Sequence, residues 1–375
     1  MKVVIASDSF KGSATSLEVA SAIERGIYKA DRNVIINKFP VSDGGEGLLE
    51  VVSSLEGYET VEIEVTDPLF NKIKASFVKN DDTAFIEMAA ASGLPLVDIK
   101  DRNPLYTTTY GTGELIKAAL ESGVKNLVIG IGGSATNDGG IGMLSALGAK
   151  FYDENDSLIK PIGKNLAKIK KYDFSTIDKK IKSTQISVAC DVDNPLCGKN
   201  GASYIYGPQK GADEETVKFL DDSLNKFASL VGKESVALEK GSGAAGGLGF
   251  ALRAFLDAEL KSGIELVLTA IGFEEAVKDS DLVITGEGKI DGQSKRGKVP
   301  VGVAKIAKKF NVPVIAIAGD IGSGTDSLYN LGIDGIISTT SRAMPLEVAM
   351  KNSLKLSEEA AFRLWKILQI QLKNI

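Results

Sequence analysis

Apolar segments that end in glycines and a carboxylate recur along this chain of 375 residues. The clearest example runs from Leu127 to Gly140, where an apolar run leads into Gly132-Gly133 and then into polar residues as far as Asp138. Ligands of open α/β sheets bind beyond the carboxyl ends of the strands, and paired glycines let backbone N–H groups approach an anion. This stretch therefore predicts an anion-binding loop, with a polar turn capped by Asp138 as the alternative.

The same succession of strand and acidic turn is found elsewhere in the chain. It occurs at 3–9, 39–46, 186–194, 282–288 and 314–320. One such junction is ordinary, but so many of them predict acidic loops that converge on a cleft. Lys11 adds a cation just ahead of a capping box, Thr15 to Glu18, that begins a helix, and a helix N-terminus favours an anion. The alternative at Lys11 is a solvated turn.

The chain contains no histidine and two cysteines. This composition excludes Ser-His-Asp and Cys-His catalysis as well as the zinc sites built from histidine or several cysteines. Carboxylates, lysines, hydroxyls, backbone amides and an oxygen-liganded metal must therefore carry any catalysis. Phosphoryl transfer fits these groups, because it depends mainly on positioning, Mg²⁺ and charge neutralisation.

Charge and hydropathy indicate a cytoplasmic protein that acts on a small molecule. The net charge of −5 gives no electrostatic reason to expect binding to nucleic acid or to an anionic membrane. Cys190 and Cys197 are expected to be reduced thiols, and no apolar run approaches the length of a membrane span. The final helix, about Leu354 to Leu372, has an apolar face that is expected in the core or in a homodimer interface.

Hydrophobic periodicity predicts an α/β fold with two domains. Both ends of the chain alternate buried strands with helices, as parallel sheets require, whereas residues 58 to 88 alternate with period two, as in half-exposed antiparallel strands. We predict a Rossmann-like parallel-sheet domain, residues 1–60 and 275–375, interrupted by an inserted α/β domain, residues 61–274. The active cleft is expected between the two domains.

Two glycine-rich segments are weak matches to nucleotide-binding motifs. Gly241 to Gly246 fits G-x-G-x-x-G, but a charged segment precedes it instead of a buried strand, so a nicotinamide-dependent oxidoreductase is only an alternative. Gly292 to Lys298 nearly matches a phosphate-binding loop, but Val299 replaces the hydroxyl that would bind Mg²⁺. A third hypothesis is a non-catalytic sensor of a phosphorylated metabolite.

Five motifs together resemble the type I glycerate kinases of bacteria, and the resemblance covers essentially the whole chain. The motifs are Ser7-Asp8-Ser9-Phe10-Lys11-Gly12, Ser42-Asp43-Gly44-Gly45-Glu46-Gly47, Gly132 to Gly140, Cys190 to Leu196, and Thr285-Gly286-Glu287-Gly288 with Asp291-Gly292-Gln293. This resemblance implies an ATP- and Mg²⁺-dependent kinase that phosphorylates D-glycerate to 2-phosphoglycerate or 3-phosphoglycerate. It also implies a Rossmann-like domain with a second, inserted α/β domain.

Roles for individual residues follow from their chemistry. Two or three of four carboxylates are expected to hold Mg²⁺: Asp8, Asp138, Asp191 and Glu287. The base that accepts the hydroxyl proton is expected to be Asp191, with Asp43 as second choice. Lys11, and Lys295 or Arg296, are expected to neutralise the transferring phosphate or the substrate carboxylate. The remaining candidates for binding substrate or nucleotide are Ser9, Ser42, Glu46, Gly132, Gly133, Ser134, Asn137, Gly286, Gly288, Asp291, Lys295 and Arg296.

Overall fold

The structure is a computed structural model that describes residues 1–44, 47–294 and 297–372. The predicted contributions of Glu46, Lys295 and Arg296 lie outside the described residues. The chain divides into two compact units. The first unit comprises Met1–Asp43 and Ile264–Ile375, and the second comprises Gly44–Gly263.

Strands and helices alternate along most of the described residues. The strands are β1 (Lys2–Ser7), β2 (Ile35–Lys38), β3 (Glu59–Thr66), β4 (Lys72–Lys79), β5 (Thr83–Glu87), β6 (Asn126–Gly130), β7 (Lys150–Tyr152), β8 (Lys171–Asp173), β9 (Gln185–Ala189), β10 (Glu259–Lys261), β11 (Leu282–Ile290), β12 (Val314–Ile321) and β13 (Gly335–Ser338). The α-helices are α1 (Ser16–Ala30), α2 (Leu48–Ser53), α3 (Ala89–Ser92), α4 (Tyr110–Glu121), α5 (Ile141–Ala146), α6 (Ala202–Tyr206), α7 (Glu214–Leu230), α8 (Glu234–Ala237), α9 (Leu248–Leu256), α10 (Gly263–Ala270), α11 (Phe273–Lys278), α12 (Val299–Lys309), α13 (Asp326–Tyr329), α14 (Leu346–Lys351) and α15 (Ser353–Leu372).

The first unit contains a parallel sheet with the strand order β13-β12-β11-β1-β2. The chain passes from β1 through α1 to β2 on one side, and it later returns at β11 on the other side of β1. The strand order therefore reverses between β1 and β11. Such a reversal opens a crevice outside the carboxyl ends of the two strands, where ligands of doubly wound sheets bind.

Helix α1 packs against α15 beside this sheet. The predicted capping box is present: the Thr15 hydroxyl accepts a hydrogen bond from the Glu18 N–H, and the Glu18 carboxylate accepts one from the Thr15 N–H. Gly26 allows the close approach of the two helices, because a Cβ there would lie 2.2 Å from the Glu358 carbonyl oxygen. Trp365 of α15 is buried in the same core.

The second unit contains a mixed sheet with the strand order β10-β9-β6-β5-β4-β3. Strands β5, β6, β9 and β10 run parallel, whereas β3 and β4 pair in antiparallel register, as the period-two pattern predicts. The apolar run at residues 127–131 leads into a loop from β6, which lies between β5 and β9. The predicted α/β class with parallel sheets is confirmed.

We propose the two units as the domains of this protein. Their limits differ from those expected from the sequence, because residue 60 lies inside β3 and residue 274 lies inside α11. A boundary at residue 60 would cut a strand that pairs with β4 along its whole length. Among the described residues, no helix is long and apolar enough to cross a membrane.

Candidate active site

Three carboxylates meet at the carboxyl edge of the first unit's sheet. Asp8 directly follows β1, Glu287 lies on β11, and Asp43 follows β2. Ser7 is paired with Gly286, and the Asp8 N–H donates a hydrogen bond to the Gly286 carbonyl at 2.8 Å, which brings Asp8 beside Glu287. This is the point at which the strand order reverses, so the topology places these carboxylates at the expected ligand crevice.

The three carboxylates line one cavity of about 440 Å³. Its lining combines polar and charged residues with apolar residues of α14. Its lining includes Asp8, Ser9, Lys11, Ser13, Asp43, Glu287, Gly288, Lys298, Asp320, Thr339, Leu346, Ala349 and Met350. Three lysines, Lys11, Lys289 and Lys298, therefore line the same cavity as the three carboxylates.

Burial dominates the electrostatics of Asp8. The residue is 7 % exposed, and this desolvation, followed by the negative charge of Asp43, raises the pKa of Asp8 to about 7. The Ser9 N–H, which donates to Asp8 Oδ1 at 2.7 Å, and the charge of Lys11 oppose the increase. The negative charge of Glu287 adds a further, smaller increase, so a proton or a cation bound at Asp8 would relieve the cost of its charge.

Lysines accompany Glu287 and Asp43 in the cavity. Lys298 Nζ lies 3.3 Å from Glu287 Oε2, and the Ser294 hydroxyl donates to Glu287 Oε1. Burial raises the pKa of Glu287, while Ser294 and Lys298 oppose that increase. Lys11 Nζ lies 3.7 Å from Asp43 Oδ2 and is largely exposed. Both lysine side chains are at least partly exposed, so their ammonium groups can move toward an anionic ligand without first leaving a buried position.

The two glycines predicted on β11 have different surroundings. A Cβ at Gly286 would lie 2.2 Å from the Ile317 carbonyl oxygen, so close strand packing explains this glycine. Gly288 lines the cavity, where a Cβ would meet only ordinary contacts. Asp291 accepts the Gln293 N–H at 2.8 Å in the turn after β11 and is not part of the cavity lining. Ser42 is buried next to Asp43.

Asp138 is fully buried in the second unit. Its Oδ2 accepts the Thr109 N–H and hydroxyl at 2.8 Å each and the Gly142 N–H at 3.2 Å, while Oδ1 accepts the Gly140 N–H at 3.1 Å. Burial raises the pKa of Asp138, and these hydrogen bonds oppose the increase. Both oxygens serve the turn before α5, which favours the alternative of a structural carboxylate over the predicted metal ligand.

The other candidates in the loop after β6 divide into exposed and buried residues. Gly132 and Gly133 are exposed at the carboxyl end of β6, and Gly133 has a left-handed φ of 70°. Ser134 and Asn137 are buried, and Asn137 Nδ2 donates to Ser203 Oγ at 2.9 Å. The glycines thus offer backbone N–H groups at the edge of the sheet, and the polar residues hold the loop.

Lys210, beneath this loop, is the residue that the sequence analysis missed. It is 2 % exposed, and its Nζ donates to Ser134 Oγ at 2.7 Å and to the Thr136 carbonyl at 2.6 Å. The surrounding Gly207-Pro208-Gln209-Lys210-Gly211 carries no recognisable motif. Its place depends on contacts with residues more than seventy positions earlier, which no local pattern reveals.

Asp191 is an exposed carboxylate of the second unit, just beyond β9. Its two oxygens lie 3.3 Å from the Gly263 nitrogen, which donates to them. Gly241 to Gly246 does not follow a strand, and a Cβ at Gly246 would lie 2.1 Å from the Thr136 carbonyl oxygen. Close packing explains Gly246, so the geometry gives no support to a dinucleotide-binding motif.

The structure therefore brings together part of the predicted site. Within the first unit it joins Asp8, Ser9, Lys11, Asp43, Glu287 and Gly288 around one cavity. Gly132, Gly133, Ser134, Asn137, Asp138 and Asp191 belong to the second unit. In the described part of the chain, no group of three or more acidic or cysteine side chains is arranged to hold a metal ion by itself.

Comparison with known proteins agrees with the resemblance stated from the motifs. The model of the glycerate kinase family matches residues 3–369. The glycerate kinase of Bacillus subtilis (strain 168) is 48% identical over 366 residues, with 96% of each chain covered. The glycerate 2-kinase of Escherichia coli (strain K12) is 50% identical over 359 residues, with 94% of each covered.

A solved structure agrees with both the fold and the family. The crystal structure attributed to glycerate kinase 2 of Salmonella typhimurium LT2 superimposes with a TM-score of 0.90 at 45% identity, and it covers 100% of this chain and 99% of that one. The match extends over both units and their order of elements. This chain belongs to the glycerate kinase family.

Proposed function

We propose that this kinase transfers the terminal phosphoryl group of ATP to the 2-hydroxyl of D-glycerate, giving 2-phosphoglycerate and ADP. The observation that carries the proposal is the cavity of the first unit, where Asp8, Asp43 and Glu287 face Lys11 and Lys298. Phosphoryl transfer needs a base that accepts a proton, ligands that hold a metal ion, and cations that neutralise the charge of the phosphates. The choice of the 2-hydroxyl is supported by the name of the Escherichia coli relative, a glycerate 2-kinase.

The size of the cavity supports a nucleotide in addition to glycerate. A three-carbon acid occupies roughly 200 Å³ at most, if each heavy atom takes a water's share of about 30 Å³. The cavity measures about 440 Å³, and α14 contributes Leu346, Ala349 and Met350 to its wall. Binding pockets combine such an apolar wall with a few polar groups that fix orientation. There is room for part of ATP beside the acid.

The carboxylates of the cavity fit Mg²⁺, which the family implies. Mg²⁺ at phosphoryl-transfer sites is held by one or two carboxylates together with phosphate oxygens and water, so a cluster of three carboxylates is not required. Asp8 and Glu287 would hold the ion, because both are buried and lie side by side at the sheet edge. When bound, Mg²⁺ supplies charge neutralisation for the phosphates. It would also offset the negative charge that burial makes costly at Asp8.

Asp43 is the carboxylate that we assign as base. It lines the same cavity as Asp8 and Glu287 but is more exposed, with 31% of its side chain accessible, so it can reach a substrate hydroxyl. We place it ahead of Asp191, the first choice from the sequence, which lies on the second unit beside Gly263. Lys11 and Lys298 would neutralise the phosphoryl group as it leaves ADP.

Two measurements test this function. Phosphorus NMR of the product formed from D-glycerate and ATP should show 2-phosphoglycerate, and a 3-phosphoglycerate signal would contradict the proposed position. Loss of general-base catalysis lowers kcat by about 10²- to 10⁴-fold, so we expect that for Asp43→Asn and a much smaller loss for Asp191→Asn. The reverse order would reinstate Asp191 as the base.

A further inference from the structure

Lys210 is a buried cation whose contacts all serve the loop after β6. Its 2 % exposure contrasts with the usual position of lysine at protein surfaces. The ammonium group donates to Ser134 Oγ at 2.7 Å and to the Thr136 carbonyl at 2.6 Å. Burial lowers the pKa of Lys210 to about 7, with Asp138 opposing the decrease. A buried charge needs hydrogen-bond partners, and both partners of this ammonium group belong to the loop after β6.

The loop is also anchored at Ala135, which lies between the two residues that Lys210 contacts. The Ala135 N–H donates to the Ser92 carbonyl at 2.9 Å, and the Thr107 hydroxyl donates to the Ala135 carbonyl at 3.0 Å. These bonds fix the backbone around Ser134 without using its hydroxyl. Lys210 adds two contacts to these: it holds the Thr136 carbonyl, and it fixes the orientation of the Ser134 side chain.

The direction of the hydrogen bond determines what the Ser134 hydroxyl can do. An ammonium group only donates, so Ser134 Oγ must accept, and its own proton then points away from Lys210. Among the described residues no acceptor receives that proton. Ser134 is 7 % exposed and directly follows Gly133, which is exposed at the carboxyl end of β6, where ligands of parallel sheets bind.

The next two residues of the loop also have unused polar atoms. Thr136 Oγ1 and Asn137 Oδ1 are buried, and neither has a hydrogen-bond partner within the described residues. Buried polar atoms are almost always paired with protein, water or a ligand. The loop therefore contains more hydrogen-bonding capacity than its own fold uses.

From this geometry we infer that Lys210 is a positioning residue, which turns the Ser134 hydroxyl outward so that it donates a hydrogen bond to an anionic oxygen of a bound substrate. The oxygen belongs to the carboxylate of glycerate or to a phosphate of ATP, two ligands that present the same chemistry. Lys210 does not itself touch the substrate. The inference rests on the proposed kinase function and extends it to the second unit.

A double-mutant cycle with Lys210→Met and Ser134→Ala tests the inference. Methionine has a similar length but no donor, and alanine lacks the hydroxyl. A hydrogen bond to a charged ligand is worth about tenfold to a hundredfold in affinity, so each single variant should raise one KM by that factor while kcat changes little. The KM of the double variant should be no higher than that of Ser134→Ala alone, because both changes remove the same ligand contact. Loss of the bond from Lys210 to the Thr136 carbonyl should appear as a lower melting temperature.

The identity of the raised KM tells which ligand Ser134 contacts. An increase in the KM for glycerate assigns the carboxylate, and an increase in the KM for ATP assigns a phosphate. Lys125→Met is the matched control, since Lys125 is an exposed lysine of the same unit whose partner is Asp82 at 2.8 Å. Its kinetic constants should equal those of the wild type.

Three outcomes would overturn the inference. They are an unchanged KM in Ser134→Ala, losses that multiply in the double variant, and a Lys210→Met variant that melts at lower temperature but keeps both KM values. If Lys210→Met does not fold, Ser134→Ala alone still decides, with Ser134→Thr expected to restore the wild-type KM. If the wild type forms no phosphoglycerate, the proposed function fails, whereas calorimetric titration of ATP and of D-glycerate into the same variants still tests Lys210.

Discussion

Asp8 should make the stability of the first unit depend on pH in an unusual direction. Because its folded-state pKa is raised to about 7 from an ordinary 3.8, ionisation of Asp8 opposes folding. The contribution of the protonated group is fully present below pH 3.8 and is lost as the pH rises through about 7. Asp8→Asn removes the charge and keeps an oxygen that can accept the Ser9 N–H.

The expected magnitude follows from the two pKa values. At 1.36 kcal/mol per pKa unit, the difference between about 7 and 3.8 corresponds to about 4 kcal/mol above pH 7. At pH 5 only the unfolded state is ionised, and about 1.7 kcal/mol has already been lost. Between pH 5 and pH 8 the free energy of unfolding of Asp8→Asn should therefore rise relative to wild type by about 3 kcal/mol.

The assay is urea unfolding followed by the fluorescence of Trp365, which is the single tryptophan of the chain and is buried in the first unit. A chelator keeps divalent ions out of the samples, and comparing two pH values cancels any pH-independent cost of the substitution. Asp320→Asn is the control, since Asp320 lines the same cavity but its side chain is 62% exposed and stays hydrated. A relative stability of Asp8→Asn that is the same at pH 5 and pH 8 would refute the reasoning.

The remaining predictions concern the ligand and the packing of α1. MgATP should raise the melting temperature of the wild type more than that of Asp8→Asn, as differential scanning fluorimetry can show, because that variant lacks one proposed carboxylate ligand. Gly26→Ala should destabilise the protein by about 1–3 kcal/mol in urea unfolding, since its Cβ would meet the Glu358 carbonyl; a neutral result would contradict the close packing. Thr15→Ala should cost about 1 kcal/mol in the same assay through loss of the cap, and Thr15→Ser, which retains the hydroxyl, should cost clearly less.

Local patterns in the sequence determined the fold class and pointed to part of the candidate site. Strand periodicity separated the parallel strands from the antiparallel pair β3 and β4. Strands buried on both faces are apolar throughout, whereas strands buried on one face alternate apolar and polar residues. Asp8, Asp43 and Glu287 could be expected to meet, because the carboxyl ends of neighbouring parallel strands share one edge of a sheet. The absence of histidine already excluded imidazole chemistry and left carboxylates, lysines, hydroxyls, backbone amides and an oxygen-liganded metal.

Only the tertiary structure distinguished carboxylates with the same local signature. Asp138 follows a strand and two glycines, and Glu287 lies between two glycines on a strand, so their local sequences are alike. Asp138, however, is enclosed by Thr109, twenty-nine positions earlier, and by the turn before α5. Lys210 has the sequence context of a surface lysine but is buried by the loop that contains Ser134. Burial and hydrogen bonding between distant segments are absent from any local window of sequence, and these two properties decide whether a charged side chain binds a ligand or supports the fold.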